Sequence, residues 1–293
     1  MGLRVRLSDR LEYAEGLDRV AEPVQKIVQK LPPGRVRDAL HGVWLGHPLH
    51  PVLVQVPVGA WMSAAYLDAL GKDGDGARHL IGLGLLASAP AAVAGWTDWA
   101  EQHEQQLRTG VVHAAANGAA VTLYTGSLVA RARQRTGLGK ALGYAGLAAV
   151  TLAAMLGGDI SYRQAGGVNH AEEVPHLVPP GWQDLMPLAE LAPGQPVKAM
   201  LGDVPVFVFR SGDQVSVLAN KCSHMSGPLS EGTLSDGELT GDREDRCVTC
   251  PWHGSVFRLR DGVVVHGPAT ADQPAFQTRI QAGIVQVCLP GAG

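Results

Sequence analysis

Two short boxes hold the side chains with the most chemistry, Cys222-Ser-His224 in "KCSHMSGPL" and Cys250-Pro-Trp-His253 in "CVTCPWHGSVF". Thiolates and imidazoles are metal ligands, so zinc is the first chemistry to weigh. A structural zinc would use four of the five candidates, counting Cys247, and Cys247-Val-Thr-Cys250 has a suitable gap. Cys222-Ser-His224 does not, since one intervening residue is tight for two ligands on a single ion. One Cys and one His on each of two loops suits instead a two-iron cluster. Cys222 and Cys250 would hold one iron as thiolates, and His224 and His253 the other as imidazoles.

Such loops need a β scaffold. Beyond Pro180 the sequence turns to short runs such as "VPVFVFR", "QVSVLAN", "SVFRLRDGVVVHG", "AFQTRI" and "IVQVCL", broken by Gly and Asp. Runs of this kind are the strand signal. Asp261-Gly262, between two of them, marks a hairpin. Residues 181–293 therefore read as an all-β domain of ordinary size.

"CSHMSGPL" followed by "CPWHGSVF" resembles the Rieske [2Fe-2S] domain, over roughly residues 181–290. The resemblance implies Cys222, His224, Cys250 and His253 as cluster ligands, with the imidazole edges as the electron exit. It gives Ser255 the place of a serine that hydrogen-bonds a bridging sulfide. Gly267-Pro268-Ala269 resembles the loop that shields the cluster from water, which makes Pro268 the second cofactor-binding residue. The sequence departs from the family at several points. Residues 225–249 form a longer gap than usual, and the surplus "ELTGDREDR" reads as a solvated hairpin tip. Gly227 stands where high-potential members carry a disulfide cysteine, and Phe257 where they carry a tyrosine. Cys247 and Cys288 read as core thiols. Fewer donors to sulfur point to a potential near the low end of the roughly −150 to +300 mV Rieske range.

The first half has a different composition. Pro51–Leu67, Leu80–Thr97, Val111–Ala130 and Ala141–Gly158 carry no formal charge, and each approaches the roughly 20 residues that cross a bilayer core. None shows the charged face of a soluble bundle helix. Gly59, Gly82, Gly84, Gly95, Gly118, Gly126 and Gly146 suit close helix contacts in lipid. The expectation is a four-helix transmembrane domain over 41–163. Residues 1–40 read as an amphipathic N-terminal segment, 164–180 as a linker and 181–293 as the Rieske domain. Residues 1–46 contain no apolar signal stretch and no twin-arginine pair. Lys and Arg are balanced between the two sides of the spans, so the charge rule gives no orientation. The net charge of −3 argues against nucleic acid.

"GHPLHPVLVQVPVGAW" resembles an uncharacterised bacterial family of four-span membrane proteins whose first span opens with His-Pro-x-His-Pro. The resemblance covers about 40–163 and implies topology without an activity. His47 and His50, three apart, would share a helix face, and His113 lies within the third span, one turn from Asn117. Ionisable groups at membrane depth usually have a function. A haem b between His50 and His113 is one reading, a quinone or metal site another, and interhelical hydrogen bonding a third.

The expected architecture is multi-domain, an all-α four-helix transmembrane bundle followed by an all-β Rieske-type domain. The expected function is a membrane-anchored one-electron carrier, an electron-transfer component rather than a complete enzyme. Too little chain follows His253 for the mononuclear-iron domain of an oxygenase. The rival is a membrane assembly or redox-sensing protein whose cluster is structural or regulatory. The expected partners are a redox protein, membrane lipid and a second copy of the chain. The expected location is the bacterial cell membrane, with the Rieske domain facing the cytoplasm, where iron–sulfur clusters are assembled.

Overall fold

A computed structural model describes residues 9–71, 75–236 and 245–291. Two units result, each made of two stretches of chain: Met1–Pro32 with Pro48–Gly166, and Pro33–His47 with Gly167–Gly293. This differs from the expected boundaries, because side chains at 38–43 and 170–178 pack on the β strands. "ELTGDREDR" lies almost wholly outside the described residues.

The helical unit opens with α1 (Asp18–Val28), and α2 (Arg35–His41) follows in the other unit. After a single turn at His50–Leu53 come α3 (Gln55–Ala69), α4 (Asp75–Trp99), α5 (Glu104–Ala132) and α6 (Thr136–Gly158). These long helices lie where the apolar runs predict. Four crossings do not follow from them. Among the described residues only Asp75–Trp99 and Thr136–Arg163 are long and apolar enough to span. α3 has 15 residues, or about 22 Å against a core of about 30 Å. α5 is diluted by Asn117, Thr122, Thr125 and Ser127. Only 28% of either apolar window is buried within the fold, and Leu83, Leu86, Val93, Leu152 and Met155 face outward. An outward apolar surface of this kind suits a helix that faces lipid.

Inside, the Trp61 and Tyr124 rings stack at 4.2 Å among Ala64, Ala77, Ile81, Ala120 and Val150. Gly84 and Gly146 leave room for those rings, since a Cβ at either would run into Trp61 or Tyr124. Gly59, Gly82 and Gly118 have nothing within 4 Å of such a Cβ, so they make no close contact. Arg131 pairs with Asp68 through both nitrogens (Nη1 to Oδ1, 3.0 Å) with the two side chains 6% and 3% exposed. Arg131 is therefore a buried clamp between α3 and α5. α1 is held by Arg108, whose Nε and Nη2 donate to Asp18 at 2.7 Å each. Ala21, Val24 and Val28 pack with Trp99 and Leu107, so part of the apolar stripe of α1 is covered by protein, while Val20 and Ile27 are exposed.

The second unit carries ten strands among the described residues: β1 (Gln183–Pro187), β2 (Pro196–Leu201), β3 (Val204–Ser211), β4 (Gln214–Ala219), β5 (Thr233–Asp236), β6 (Arg246–Thr249), β7 (Val256–Arg258), β8 (Val264–His266), β9 (Ala275–Gln281) and β10 (Ile284–Cys288). They form two antiparallel sheets, β1-β10-β9-β4-β3-β2 and β5-β6-β7-β8. Alternation along β3 explains why the run is apolar throughout. Val204, Val206 and Val208 enter one core, while Phe207 and Phe209 enter a second that contains Cys222 and Cys250. The expected hairpin joins β7 and β8, and Gly262 has φ +74° with Gln273 O where its Cβ would lie. The expected linker is folded. Ala171, Val174 and Val178 are buried in the first core, and His170 N–H donates to Ser223 O at 2.9 Å.

Candidate metal centre

The first box lies on the loop between β4 and β5, the second between β6 and β7. Each loop closes on its own cysteine. Cys222 N–H donates to Gly227 O at 2.9 Å and Ser226 N–H to Cys222 O at 2.9 Å. Cys250 N–H donates to Ser255 O at 2.8 Å and Gly254 N–H to Cys250 O at 3.1 Å. Both cysteine backbones are thus fixed at donor and acceptor. Gly254, at φ +76°, takes the turn that a side chain would strain.

The side chains arrive as two pairs. The Cys222 and Cys250 thiols are 1% and 4% exposed and hydrogen-bond each other. The His224 and His253 rings are half-buried and meet edge to face, with centroids 5.0 Å apart and an interplanar angle of 87°. Thiols lie inside and imidazoles toward the surface. Among the described residues no three His, Cys, Asp or Glu side chains converge as one ion would require. The donor set therefore suits two irons with two protein ligands each better than one tetrahedral zinc.

The thiol pair is electrostatically primed for a cation. The hydrogen bond from Cys222 holds Cys250 down to about 7, against the pull of burial. That same bond pushes Cys222 far up, and burial adds to it. The pair releases one proton readily and the second only to a positive charge. Cys247 is fully buried on β6, and burial lifts it to about 11. It stands with core thiols. Cys288, half-buried on β10, is a free thiol like the other three.

Beside the two boxes, Ser255 is fully buried, and its Oγ accepts the Ala269 N–H at 2.9 Å. Its hydroxyl proton remains for a sulfur acceptor, and the bond ties the Gly267–Ala269 loop to the second box. Phe257 is fully buried in the core that holds both cysteines. A Cβ at Gly227 would lie 2.7 Å from Cys250 Sγ and 3.1 Å from the Trp252 ring, so this site has no room for any larger residue.

Sequence reading missed the clamp on the first box. Gln273, 2% exposed, accepts Ser223 N–H at 2.9 Å and donates to Ala219 O at 2.9 Å and Lys221 O at 2.6 Å. Asn220 Oδ1 accepts Ser230 N–H at 2.7 Å. No spacing rule links a lone Gln or Asn to a loop so far along the chain.

In the helical unit His50 and His113 do come together, with centroids 6.4 Å apart at 79°. His50 Nδ1 bonds Ala91 O at 2.7 Å and His113 Nδ1 bonds Ala153 O at 2.8 Å. Carbonyls only accept, so both Nδ1 atoms carry a hydrogen. His113 Nε2 faces Asn117 Nδ2 at 3.1 Å. His47 lies in a bend ahead of the first turn and belongs to the other unit, so it shares no helix face with His50.

Comparison with known proteins gives two family matches. Residues 181–277 match the Rieske [2Fe-2S] domain, and residues 46–170 match a predicted membrane protein family, DUF2231. The anthranilate 1,2-dioxygenase ferredoxin subunit of Burkholderia cepacia is 32% identical over 106 residues, covering 36% of this chain and 90% of that protein. Ferredoxin CarAc of Metapseudomonas resinovorans is 30% identical over 107 residues, 36% of this chain and 92% of that protein. Among solved structures, the ferredoxin of carbazole 1,9a-dioxygenase from Nocardioides aromaticivorans IC177 aligns with 25% identity and a TM-score of 0.33, covering 37% of this chain and 97% of that one.

Proposed function

This chain belongs to the Rieske [2Fe-2S] family through residues 181–277, and from that premise we propose that it is a membrane-anchored one-electron carrier. The observation that carries the reading is the nested arrangement of donors, buried thiols beneath half-exposed imidazoles. Cys222, His224, Cys250 and His253 would hold the cluster, which supplies a one-electron couple when bound. The chain's own contribution is to keep water from the sulfurs and to present the imidazole edges to a partner. Ser255 would donate to a sulfide, and Pro268 would cover it. One relative is named as the ferredoxin subunit of a dioxygenase and another as a ferredoxin, so the partner class proposed is a protein reductase or oxygenase.

Anchoring is supported by the DUF2231 match and by the outward-facing apolar helices. Hydroxyls on α5 bond their own helix, Thr122 to Gly118 O and Thr125 to Val121 O at 2.8 Å each, which suits a lipid-facing side. The β unit contains residues from before and after the helical stretch, so a spanning stretch must return to the side it left. An even number of crossings follows, and four is the reading taken here. Cys247 and Cys288, the two cysteines outside the proposed ligand set, are free thiols, which suits a reducing compartment and favours a β unit facing the cytoplasm from the cell membrane.

A spectrum of the purified, dithionite-reduced protein tests the reading. A rhombic [2Fe-2S] paramagnetic signal with reversible optical bleaching is expected. Stoichiometric zinc without acid-labile sulfide would sink it. A cluster that does not reduce reversibly would favour the assembly or sensor role instead. A second reading gives His50 and His113 a haem b or a quinone, resting on their 6.4 Å approach. A Soret band or an extractable quinone in the same sample would establish it, and the absence of both would leave the pair as a helix-to-helix hydrogen-bond device.

A further inference from the structure

We propose that Asp38 is a positioning residue of the cluster site, holding the Gly267–Ala269 loop from a segment that precedes the apolar helices in sequence. The proposal rests on the Rieske reading above. β8 has three residues and is the edge of its sheet, so the chain that leaves it has no further ladder partner. Asp38, on α2, supplies one. Its Oδ1 accepts the Gly267 N–H at 3.0 Å, and its Oδ2 accepts His266 Nδ1–H at 2.8 Å. The two side chains are 16% and 25% exposed, so both bonds are largely shielded and charge-assisted.

The neighbours of Asp38 close the contact. His41 is 1% exposed, and a Cβ at Gly267 would lie 3.2 Å from both His41 Cδ2 and Val43 Cγ2. Val43 packs on the core that contains Cys222, Cys250, Phe257 and Ala269. The loop is therefore pinned at both ends, by Asp38 at Gly267 and by Ser255 at Ala269. Ser255 in turn accepts the Cys250 N–H through its carbonyl. A short path of hydrogen bonds and chain thus leads from Asp38 to a cluster ligand. Cutting it should loosen the loop that covers the sulfurs and let water reach them. The absent negative charge and the added water both favour the reduced cluster.

The test uses the full-length, cluster-loaded protein and compares Asp38→Ala, Asp38→Asn and Gly267→Ala with wild type. Asp213→Asn, an exposed carboxylate at the turn between β3 and β4, controls for charge alone. The readouts are the midpoint potential and the rate of cluster loss to a ferrous chelator. Asp38→Ala and Gly267→Ala should lose the cluster at least about fivefold faster, the factor for one net hydrogen bond. Asp38→Asn keeps an acceptor for Gly267 and should fall between. All three should have a raised midpoint, while Asp213→Asn should match wild type in both readouts. Should Asp38→Ala fail to fold, Asp38→Asn and Gly267→Ala decide. Variants that hold the cluster and titrate as wild type does would overturn the proposal while leaving the Rieske reading intact. A wild-type protein without a cluster would overturn both.

Discussion

Gln273 Oε1 accepts the backbone N–H of Ser223 across 50 positions of sequence, at 2.9 Å. One side chain thereby fixes the residue between Cys222 and His224. Gln273→Ala would leave Ser223 N–H, Ala219 O and Lys221 O without that partner, at a cost of about 1–3 kcal/mol for such buried groups. The expected outcome is a lower denaturation midpoint and less iron per chain. Unchanged iron content would show that the first box holds its shape unaided.

Ligand exchange separates the thiols. Cys222→Ser or Cys250→Ser should abolish [2Fe-2S] incorporation, whereas Cys247→Ser should leave it intact. Iron and acid-labile sulfide analysis, with the reduced spectrum, measures both. Cluster loss in Cys247→Ser with the fold preserved would bring that residue into the ligand set.

Phe257→Tyr should raise the midpoint potential. Phe257 is fully buried beside both cysteines in the second core, and a hydroxyl donating to sulfur stabilises the more negative, reduced state. A potentiometric titration decides, and an equal or lower midpoint in a folded variant would place the new hydroxyl away from the sulfurs.

Cys247 makes a pH prediction of definite sign. Its ordinary value of 9 is raised to about 11 by burial, so the folded state binds that proton more tightly than the unfolded chain does. The associated stability is complete below pH 9 and fades as pH rises toward 11. Melting curves of wild type and Cys247→Ala should therefore converge across that window. A difference independent of pH would mean that the thiol does not titrate on unfolding.

Orientation can be read with a cysteine at Asp213, which is exposed at a turn of the β unit. Ser235, in the other sheet, is a poorer position because its hydroxyl is buried. In a Cys288→Ser background, an impermeant thiol reagent should label Asp213→Cys only after lysis. Labelling of intact cells would put the β unit on the outer face.

The two Cys-and-His boxes were legible because two tight loops write their spacing locally. Alternating strands and apolar helices were legible from their periodicity. Asp38 and Gln273 were not, because each acts on chain 228 or 50 positions away, and a single polar residue carries no record of its partner. Gly82 and Gly84 differ by two residues, yet only the second meets a ring. Composition alone does not tell which face of a helix is turned inward. The number of crossings was not legible in the charge-free runs, because such a run fixes neither helix length nor how polar uncharged side chains dilute it.

The discontinuous β unit also imposes an order on synthesis. Asp38 and His266 are separated by 228 residues, and at about 5–20 residues per second the ribosome takes on the order of 10 to 50 s between them. Through that interval α2, seven residues long, has none of its contacts to the β strands, and a helix so short is marginal by itself. His41 and Val43 wait unburied while the apolar helices emerge. The loop over the metal centre can be latched only after the whole helical unit has been made, so a nascent chain stalled before that point carries no finished site to load with iron.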